Sequence, residues 1–475
     1  MENTIFYTTD NCNTYLYDGQ YHFSMLINPE LEKATQSDSN VEQYYIDKYK
    51  YLKRYGFFTD KKTRFISELK VSDVESSIIH TKQIVFEVTG LCNLQCTYCI
   101  QGDLYEGFDT RNNVNIDIDS ALILLKHILE LKVKNRDNEL TISFYGGEPL
   151  INFNFIEKIV RFVDDFRVLS PINVTYTMTT NAILLSKHID FFRNNKFRIL
   201  ISLDGDRDNN GHRKLRGSGK NSFDKVVENL DFVLSKYPEY FNEYINFNTV
   251  LSDKNSVKEA YNFFYSRYGK IPKISELAKN NLNRNKIDDF KRYYRNRRLD
   301  ELELSKEGTL ATLYHNQSLD FWELAYFLKY FSLNSYASNI QSLFNDDMNF
   351  PSCTCLPFSM KIFLSSNGKI LPCEKISHSF ALGDINEKVN IDVHQVAIQY
   401  TSYYKQLQKK CADCYINKYC GVCLFNIPKS NDNKLVCENY HSKSAFQKKL
   451  SRIHSFLENY PLDFMEIFNN ITIAS

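Results

Sequence analysis

The chain has 475 residues, which is enough for about three domains of typical size. Its 58 Lys and Arg residues against 57 Asp and Glu residues leave a formal charge of +1, which gives no overall attraction to nucleic acid or to an anionic membrane. The sequence contains no apolar run near the ~18 residues that cross a bilayer, and its beginning does not resemble a secretory signal. We therefore expect a cytoplasmic protein with no nucleic-acid partner and no membrane partner.

The first 80 residues are expected to form a separate winged-helix-like domain. Short segments rich in β-branched and aromatic residues predict strands at 3–9, 13–18 and 21–27. Apolar residues at helical spacing then predict a helix over 41–55. Three strands followed by helices make the pattern winged-helix-like.

The segment from 81 to 270 alternates strand patterns with helix patterns. The predicted strands lie at 83–89, 140–145, 173–180, 197–204 and 244–251. The predicted helices lie near 117–133, 153–168, 185–195, 222–237 and 255–268. Such alternation is typical of an α/β fold with a parallel sheet and crossover helices, and with a sixth strand to follow it predicts a partial (β/α)6 barrel. We expect the chemistry at the carboxyl ends of these strands.

Three further segments complete the expected organisation. Residues 271–350 are expected to be a mostly helical bridging region, residues 351–440 a cysteine-rich domain and residues 441–475 a C-terminal helix. The bridging region carries a basic stretch over 279–298, which is interpreted as a solvated helix face. The alternative is a surface that contacts a peptide or RNA.

Eleven of the twelve cysteines fall into two groups, and Cys12 is left as a free thiol on the predicted N-terminal hairpin. The first group is Cys92, Cys96 and Cys99. The second group is Cys353, Cys355, Cys373, Cys411, Cys414, Cys420, Cys423 and Cys437. Cytosolic thiols are kept reduced, so clustered cysteines there indicate metal binding or catalysis rather than disulfides.

The first cysteine group directly follows the first barrel strand, in the spacing Cys-x3-Cys-x2-Cys. Three thiolates this close can converge on one metal centre. A [4Fe–4S] cluster normally takes four cysteines, so three would leave one iron open for chemistry, as the open position of a catalytic zinc does. The alternative is a zinc site that a distant ligand completes.

Glycine-containing and polar motifs stand where the next three strands end. The second strand ends in Tyr145-Gly146-Gly147-Glu148-Pro149, where two glycines allow a close backbone approach to a ligand and Glu148 can accept hydrogen bonds from an ammonium group. The other two motifs are Thr179-Thr180-Asn181 and Ser202-Leu203-Asp204-Gly205. For the glycine motif the alternative interpretation is an ordinary strand-to-helix turn.

Together these motifs resemble the radical S-adenosylmethionine (SAM) enzymes. The cysteine spacing, with Tyr98 before the last cysteine, is similar to the family's cluster loop, and residues 146–149 resemble its GGEP element, which binds the SAM amino group. The resemblance implies that the open iron of a [4Fe–4S] cluster binds SAM, and that a 5′-deoxyadenosyl radical takes a hydrogen atom from the substrate. The SAM contacts that it implies are Tyr98, Gly146, Gly147, Glu148, Pro149, Thr180, Asn181, Ser202, Asp204, Arg216 and Asn248. Arg213 is a further candidate for the SAM carboxylate, and for both arginines a surface position is the alternative.

The second cysteine group resembles the SPASM extension of radical SAM enzymes that modify peptides. That extension holds two auxiliary [4Fe–4S] clusters, and this chain departs from its pattern in having two residues instead of three between Cys420 and Cys423. The ligands that the resemblance implies for the nearer cluster are Cys353, Cys355, Cys373 and Cys423. Those for the outer cluster are Cys411, Cys414, Cys420 and Cys437. Two alternatives stay open: only one of the closely spaced Cys353 and Cys355 ligates, or the eight thiolates hold two zinc ions.

Glu374 directly follows Cys373 in the chain. In relatives that oxidise a sulfatase cysteine or serine, an acidic residue in that place takes a proton from the substrate. The SPASM resemblance therefore implies a catalytic role for Glu374, and a surface glutamate is the alternative.

The N-terminal domain resembles the leader-recognition domains of ribosomal peptide maturases, in which the leader adds a strand to a sheet edge. The basic residues of its helix, which suit an acidic leader, are Lys48, Lys50, Lys53 and Arg54. A structural cap is the alternative. The resemblances thus imply a peptide maturase that installs a thioether, or a carbon–carbon or ether bond, in a ribosomally made precursor peptide with an N-terminal leader. A flavodoxin or ferredoxin type of protein would donate the electrons.

Three other functions are compatible with the sequence. A sulfatase-maturing oxidase would not need the N-terminal domain. A peptide epimerase would need a hydrogen-atom donor, often a cysteine thiol, on the far side of the substrate. A non-enzymatic zinc module that binds RNA through 279–298 is the distant alternative, and metal analysis separates it from the others.

Overall fold

The computed structural model of the chain describes residues 4–19, 23–36, 40–58, 64–65, 68–108, 113–306, 315–330, 348–349, 354–417, 420–428 and 434–470. The chain folds into two compact units. The unit that we call the barrel unit comprises Leu69–Asp300 and Cys355–Tyr400. The other, which we call the terminal unit, comprises Met1–Glu68, Glu301–Thr354 and Thr401–Ser475.

The described residues contain fifteen strands and fifteen α-helices. The strands are β1 (Thr4–Thr8), β2 (Thr14–Asp18), β3 (Phe23–Leu26), β4 (Arg64–Phe65), β5 (Gln83–Glu87), β6 (Glu139–Tyr145), β7 (Asn173–Thr180), β8 (Arg198–Ser202), β9 (Ile245–Val250), β10 (Lys273–Ser275), β11 (Met348–Asn349), β12 (Ile362–Leu364), β13 (Lys369–Leu371), β14 (Gly383–Ile385) and β15 (Val389–Ile391). The helices are α1 (Pro29–Thr35), α2 (Gln43–Arg54), α3 (Val71–Ile79), α4 (Ile118–Lys134), α5 (Phe153–Leu169), α6 (Leu185–Asn194), α7 (Phe223–Lys236), α8 (Pro238–Tyr244), α9 (Val257–Tyr268), α10 (Ile287–Tyr293), α11 (Arg297–Lys306), α12 (Leu319–Tyr330), α13 (Val393–Ala412), α14 (Lys443–Asn459) and α15 (Asp463–Asn470). None of these helices is long and apolar enough to cross a membrane.

The barrel unit is built on one sheet of ten strands, in the order β10-β9-β8-β7-β6-β5-β12-β13-β14-β15. Strands β5 to β10 and β12 run parallel, and β13 to β15 continue the sheet as antiparallel neighbours. The predicted parallel α/β sheet is confirmed, and β10 is the sixth strand of the series. The sequence pattern does not predict α8, nor the extension over β12 to β15, whose strands have only three residues each.

The two faces of a barrel strand differ in polarity, because one face packs against helices and the other faces the barrel interior. In β7, Val174, Tyr176 and Met178 are buried, while the residues between them are half-buried threonines. Thr177 Oγ1 of β7 lies next to Ser143 Oγ of β6 on the interior face. Small polar side chains therefore line this part of the interior, in contrast to the branched apolar layers that fill a closed barrel.

In the terminal unit, the antiparallel sheet β1-β2-β3 lies between two layers of helices. Ile5, Tyr7 and Tyr17 pack on one face, in a core that α12 and α14 share. Leu16 packs on the other face against Leu31 of α1, and α2 covers the same side. A three-stranded sheet with helices on one side only would bury little apolar area.

In the structure, the N-terminal strands and helices belong to a larger compact unit that also contains later segments of the chain. The three strands and the helix predicted over 41–55 occur close to their predicted bounds. The sheet nevertheless completes its core with helices from the far end of the sequence, and α3 belongs to the barrel unit. The boundaries of the compact units thus cut across the five segments that the sequence predicts.

Helix α14 also holds the turn between β1 and β2 through one carboxylate. Glu458 accepts hydrogen bonds from the side chains of Thr9 at 3.1 Å and Asn13 at 3.0 Å. It also accepts from Asn11 and from Tyr15, both at 2.9 Å. Although partial burial opposes the effect, these bonds hold the pKa of Glu458 below its ordinary value.

Mild acid should destabilise the terminal unit because of His454 in α14. The ring is buried among Tyr7, Tyr15 and Phe327, and burial lowers its pKa from 6.5 to about 4. Between these two values the unfolded chain binds a proton that the folded chain excludes. The free energy of unfolding should therefore decrease as the pH falls, by about 2 kcal/mol between pH 7.5 and pH 5.

Urea unfolding at the two pH values checks this expectation. The fluorescence of Trp322, the single tryptophan, reports on the terminal unit because this residue lies on α12. In the variant His454→Phe, the difference between the two pH values should shrink by about the same amount. A pH dependence that is identical in the variant would contradict the assignment to His454.

Candidate active site

The first cysteine group lies in the loop that follows the carboxyl end of β5. Cys92 is buried, and Cys96 and Cys99 are half-buried. Burial raises the pKa of Cys96 to about 12, and the neighbouring thiols of Cys99 and Cys92 add to the rise. Within the described ranges, no three His, Cys, Asp or Glu side chains already stand at the distances of a bound metal ion. The loop thus brings three thiols close together, and a metal would have to displace their protons.

Backbone hydrogen bonds join the glycine motif after β6 to the cysteine loop. Gly147 N donates to Thr89 O and Glu148 N donates to Leu91 O, both at 2.8 Å. A Cβ on Gly146, whose φ is +124°, would lie 2.6 Å from Thr89 O. A Cβ on Gly147 would lie 2.0 Å from Leu91 O. The glycines are therefore required by the close approach of two backbone segments, whereas the sequence suggested the approach of a ligand.

The substitution Gly147→Ala should displace the cysteine loop. The new Cβ would stand 2.0 Å from a backbone oxygen of Leu91, next to Cys92, and the backbone cannot turn away as a flexible side chain could. We expect the rate of SAM cleavage to fall about 100-fold, as for a misplacement of about 1 Å, with a lower content of iron and acid-labile sulfide per chain. Gly211→Ala is the matched control, because its Cβ would meet only Lys254, at 4.0 Å. Equal activity in the two variants would contradict the prediction.

Glu148 is a buried carboxylate between the ends of β6 and β7. It is 1% exposed, and it accepts hydrogen bonds from Thr180 Oγ1 at 2.7 Å, Asn181 N at 2.8 Å and Leu150 N at 3.1 Å. Burial outweighs these bonds and raises the pKa of Glu148 to about 7. No cation of the described residues pairs with it, so an ammonium group would complete its surroundings. Asn181 links the same site to Cys92, because its Nδ2 lies 3.8 Å from the sulfur.

A buried ion pair lies beside Cys96. Arg213 Nη2 donates to Asp204 Oδ1 at 2.9 Å, and the two side chains are 8% and 0% exposed. Tyr98 OH donates to the other oxygen of Asp204, and the guanidinium lies 5.5 Å from the centre of the Tyr98 ring. Arg213 Nε is buried without a hydrogen-bond partner in the described structure. The surface position considered for Arg213 is therefore wrong. Both carboxylate oxygens of Asp204 accept hydrogen bonds from protein side chains.

The remaining predicted SAM contacts differ in their surroundings. Ser202 and Asn248 are half-buried neighbours in the register of β8 and β9. Pro149 is buried and begins a short 3-10 turn. The side chain of Arg216 is exposed, and its backbone N donates to Asn93 O of the cysteine loop at 2.8 Å. The backbone of Arg216 therefore stabilises the cysteine loop. Its exposed side chain matches the surface position that the sequence analysis gave as the alternative.

Sequence reasoning missed a series of polar groups that holds the middle of the cysteine loop. Thr97 Oγ1 and Asp253 Oδ1 each lie 2.6 Å from a ring nitrogen of His212. The ring of His212 also packs against Tyr98 and Tyr293. No local pattern could have found this contact, because Thr97 and His212 are 115 positions apart.

Glu87, the last residue of β5, is a second polar residue that sequence reasoning missed. It is 2% exposed, and its carboxylate accepts hydrogen bonds from Gln101 Nε2 at 2.6 Å and from Ser366 N at 2.8 Å. It therefore ties the segment after the cysteine loop to the turn between β12 and β13. Its place at the carboxyl end of a barrel strand is a signal that could have identified it.

The basic stretch over 279–298 has a solvated face and a buried face: Lys291 and Arg292 in α10 are exposed, and Phe290 of the same helix is buried. Phe290 packs in one cluster with Tyr98 and Tyr105, so the buried face of the segment covers the cysteine loop and the residues after it. Many of its cations are paired with acidic neighbours, in the pairs Lys286–Asp289, Lys291–Asp288, Arg292–Asp289 and Arg295–Asp300. The segment is therefore amphipathic, with its charged side in solvent and its apolar side packed on the cysteine loop.

The structure describes seven of the eight C-terminal cysteines, and Cys353 lies outside the described residues. Cys355 and Cys373 belong to the barrel unit. The other five belong to the terminal unit and are Cys411, Cys414, Cys420, Cys423 and Cys437. Cys12 is an exposed free thiol in the turn between β1 and β2, as predicted.

In the predicted outer ligand set, the thiols of Cys414 and Cys437 lie near each other in the terminal unit. Cys414 is buried in the core of that unit. Its sulfur accepts a hydrogen bond from His441 N at 3.4 Å. Burial raises the pKa of Cys414, and the nearby Cys437 adds to the rise. Cys411 is also adjacent, because its carbonyl oxygen accepts from Cys414 N at 3.1 Å.

Glu374 is not a surface glutamate. Its side chain is 10% exposed and accepts from Lys361 Nζ at 2.8 Å, and Cys373 Sγ lies 3.4 Å from its other oxygen. Although burial opposes it, Lys361 holds the pKa of Glu374 below its ordinary value, so the group is ionised at neutral pH. Tyr145 at the end of β6 connects this region to the cysteine loop: burial raises its pKa, and Glu374, Cys99 and Cys373 add to the rise.

Comparison with known proteins relates this arrangement to one superfamily. The sequence profile of the Radical SAM superfamily matches residues 86–253. A cysteine-type anaerobic sulfatase-maturating enzyme from Clostridium novyi (strain NT) is 25% identical over 386 residues, which are 76% of this chain and 93% of that enzyme. The radical SAM cyclopropyl synthase TigE from Paramaledivibacter caminithermalis is 24% identical over 367 residues, which are 74% of this chain and 70% of that enzyme.

Solved structures share the fold. Native anSMEcpe with bound AdoMet aligns with a TM-score of 0.51 at 17% identity, over 82% of this chain and 100% of that chain. Native anSMEcpe with bound AdoMet and the Kp18Cys peptide aligns with a TM-score of 0.54 at 16% identity, over 82% of this chain and 99% of that chain. At these identities the likeness concerns the fold alone. The profile over 86–253, which includes the cysteine loop after β5, shows that this chain contains a Radical SAM domain.

Proposed function

We propose that this enzyme is a peptide maturase that installs an oxidative cross-link in a ribosomally made precursor peptide. The observation that carries the reaction class is the cysteine loop, which Glu148 and Asn181 hold against the ends of β6 and β7. The names of the relatives support a peptide or protein substrate, since one is a sulfatase-maturating enzyme and one solved structure contains a peptide. The proposed bond is a thioether, or a carbon–carbon or ether bond.

The residues around the cysteine loop fit the cofactors that the radical SAM family implies, a [4Fe–4S] cluster and SAM. Cys92, Cys96 and Cys99 supply the three thiols that such a cluster needs if one iron is to stay open. Glu148 is a buried carboxylate without a cationic partner in the described structure and would hold the SAM amino group. Arg213 offers a buried Nε that would suit the SAM carboxylate. When bound, these cofactors supply the radical that removes a hydrogen atom from the substrate.

Two auxiliary [4Fe–4S] clusters in the SPASM-like region are part of the proposal. For the outer cluster, the thiols of Cys414 and Cys437 lie close together, and backbone N–H groups donate to the sulfurs of Cys414 and Cys420. Such bonds suit anionic thiolates. The nearer cluster is proposed from the cysteine spacing alone. The auxiliary clusters would accept the second electron of the oxidation. A flavodoxin or ferredoxin type of protein would supply the electron that first reduces the SAM-binding cluster.

We place the leader peptide on the β3 edge of the N-terminal sheet. The β1 edge is already used, because Phe6 O accepts from Gln447 at 2.8 Å and Thr8 O accepts from Ser451 at 2.5 Å, both of α14. Strand β3 ends the sheet on the other side and offers its outward backbone groups to a further strand. Helix α2 covers one face of the same sheet, and its cations would suit an acidic leader: Lys48, Lys50, Lys53 and Arg54.

A sulfatase-maturing oxidase is the second candidate function. Glu374 beside Cys373 favours it, because the resemblance places a proton-accepting residue there. The low pKa of Glu374 keeps the carboxylate ionised but makes it a weak base. The sulfatase-maturating relative is matched over almost its whole length and still leaves about a quarter of this chain unaligned. The unaligned quarter of this chain favours a substrate with an additional segment to be bound, such as a leader peptide.

The experiment is the intact mass of a short cysteine-bearing peptide encoded beside the gene, after anaerobic incubation with holoenzyme, SAM and a reductant in heavy water. Loss of two hydrogens would support a cross-link. Replacement of the cysteine sulfur by oxygen together with loss of two hydrogens would support the formylglycine product of a sulfatase-type oxidase. Gain of one solvent deuterium without other loss would identify an epimerase. If no 5′-deoxyadenosine forms even with peptide, the radical mechanism is wrong, and zinc without acid-labile sulfide would support the RNA-binding module.

A further inference from the structure

The segment before α14 lies against the end of α13 and the turn that follows it, all within the terminal unit. Hydrogen bonds join the two stretches, 410–415 and 437–441. Written from donor to acceptor, they are Lys410 Nζ to Cys437 O at 2.7 Å, Tyr440 OH to Asp413 O at 3.0 Å, His441 N to Cys414 Sγ at 3.4 Å and Tyr415 N to His441 O at 3.0 Å. The backbone therefore brings Cys437 and His441 to the segment that carries Cys411 and Cys414.

The imidazole ring of His441 has a polar atom that the protein does not use. The residue is half-buried, and its Nδ1 is buried without a hydrogen-bond partner in the described structure. Its backbone is fixed on both sides, because the next residue, Ser442, caps α14 by accepting from Ala445 N at 3.3 Å. A buried polar atom without a partner costs about 1–3 kcal/mol, and native structures rarely leave one. Coordination of a metal through Nδ1 would satisfy it.

The spacing of Cys420 and Cys423 favours the assignment of both to one cluster. Two residues separate them, and Val422 N donates to Cys420 Sγ at 3.4 Å, so the chain turns around this sulfur. In the bacterial ferredoxin run, cysteines that are two residues apart ligate one cluster, and the cysteine after a gap of three residues ligates the other. The ligand sets that the SPASM resemblance implies divide Cys420 and Cys423 between two clusters, which the shorter gap does not favour.

A hydrogen bond indicates which cluster this pair of cysteines joins. Leu424 N, directly after Cys423, donates to Thr354 Oγ1 at 2.7 Å, and Thr354 directly precedes Cys355. Cys355 and Cys423 are both predicted ligands of the nearer cluster. If Cys420 goes with Cys423, the outer cluster is left with three cysteines and needs a fourth ligand.

We propose that His441 is the fourth protein ligand of the outer auxiliary cluster, beside Cys411, Cys414 and Cys437. The inference rests on the auxiliary clusters of the proposed function and exchanges Cys420 for His441 in the outer one. Imidazole is an established ligand of iron–sulfur clusters, as in Rieske centres. As at the first cysteine group, no three of the described side chains already stand at the distances of a bound metal. Loading of the cluster would therefore turn these side chains inward on a backbone that already brings them together.

The imidazole ligand would suit the electron-accepting role proposed for the auxiliary clusters. A neutral imidazole adds no negative charge to the cluster, whereas a thiolate does. A cluster with less negative charge is reduced more easily, and histidine ligation raises the potential of Rieske centres in the same way. The outer cluster would then be a better acceptor for the second electron of the oxidation.

The test detects a histidine nitrogen on a cluster by pulsed electron paramagnetic resonance. Full-length holoenzyme is prepared anaerobically from cells fed histidine that carries nitrogen-15 in the imidazole ring only, and it is reduced with dithionite in the absence of SAM. Ring labelling excludes the backbone nitrogen of His441, which lies 3.4 Å from Cys414 Sγ. Omission of SAM excludes its amino nitrogen. We expect a strong nitrogen coupling that differs between the labelled and the unlabelled protein.

Variants assign the coupling to one residue. His441→Ala should remove it together with about a third of the iron, because one of three [4Fe–4S] clusters then lacks a ligand. His441→Cys should restore the iron without the nitrogen coupling and shift the midpoint potential of one cluster to a lower value. Cys420→Ala should keep the coupling. His394→Ala is the matched control, since His394 is an exposed histidine on α13, and it should change neither the coupling nor the iron content.

Three outcomes would overturn the proposal: a wild-type spectrum without a coupled histidine nitrogen, a coupling that survives His441→Ala, or a coupling that is lost in Cys420→Ala. If His441→Ala does not fold, His441→Cys decides the same question, because it keeps a ligand at this position. The iron and acid-labile sulfide of the wild type are measured separately. The content of a single cluster would contradict the proposed auxiliary clusters, and this inference with them. The content of three clusters without a bound imidazole would contradict the role of His441 alone.

Discussion

Substitution of Cys96 by alanine should abolish the reductive cleavage of SAM. Cys96 lies between Cys92 and Cys99 in the loop after β5, and burial together with these two neighbouring thiols raises the pKa of Cys96. With one thiol removed, only two ligands would remain for a cluster that needs at least three protein thiolates to leave a single open iron. We expect the rate of 5′-deoxyadenosine formation under dithionite to fall by more than about 100-fold, the upper range for loss of a supporting partner of a metal ligand.

Cys12→Ala is the matched control for this substitution. Cys12 is an exposed thiol in the turn between β1 and β2, in the terminal unit, and no metal role is assigned to it. The control should keep the wild-type content of iron and sulfide and the wild-type rate. If Cys96→Ala also kept both, the first cysteine group would not hold the catalytic cluster.

Asp204→Asn should destabilise the barrel unit by about 3–5 kcal/mol, the typical cost of breaking a buried ion pair by removing one partner. The substitution would leave the guanidinium of Arg213, which is 8% exposed, without its counter-charge. It would also weaken the hydrogen bond from Tyr98, which fixes the aromatic ring before Cys99. Urea unfolding of the holoenzyme followed by far-ultraviolet circular dichroism measures the loss.

The chain offers a closely matched control for the buried pair. Arg207 and Asp224 form an ion pair of the same chemistry in the same unit, but their side chains are 60% and 59% exposed. Asp224→Asn should therefore change the free energy of unfolding by less than about 1 kcal/mol. If the two substitutions had equal effects, burial of the Asp204–Arg213 pair would not matter for stability. Adding Arg213→Met to Asp204→Asn should recover part of the loss, because no uncompensated charge then stays buried.

Local periodicity explains why the barrel strands and the cysteine loop could be predicted. In β7, apolar residues alternate with threonines over the whole strand, so the sequence predicts residues 173–180 and the structure has Asn173–Thr180. The spacing of Cys92, Cys96 and Cys99 is equally local, since one loop carries all three. The ends of the strands follow from the same pattern, and they bring Glu148 and Asn181 to one site.

Contacts between distant segments could not be predicted. The polarity pattern of a helix or strand indicates which of its faces is buried, but it does not indicate which other segment packs on that face. Glu87 accepts a hydrogen bond from Ser366, which is 279 positions away in the sequence. The sequence near either residue contains no signal that predicts this contact. The same limit made Arg213 and Glu374 look like surface residues, although each is buried beside an oppositely charged partner. Strands β12 to β15 were missed for another reason: three residues are too few to show a period.

The position of the sheet β1-β2-β3 in the sequence affects the order in which the two units fold during synthesis. Tyr7 of the sheet and His454 of the helix that covers it are 447 positions apart. At about 5–20 residues per second, roughly 20–90 seconds pass before the ribosome has made the covering helix. Until α12 has been made, the face with Ile5 and Tyr17 has neither of its two covering helices, while strands β5 to β9 can pair as each one emerges. We therefore expect the barrel unit to fold first, and the sheet β1-β2-β3, although it is made earlier, to be among the last parts to reach its final packing.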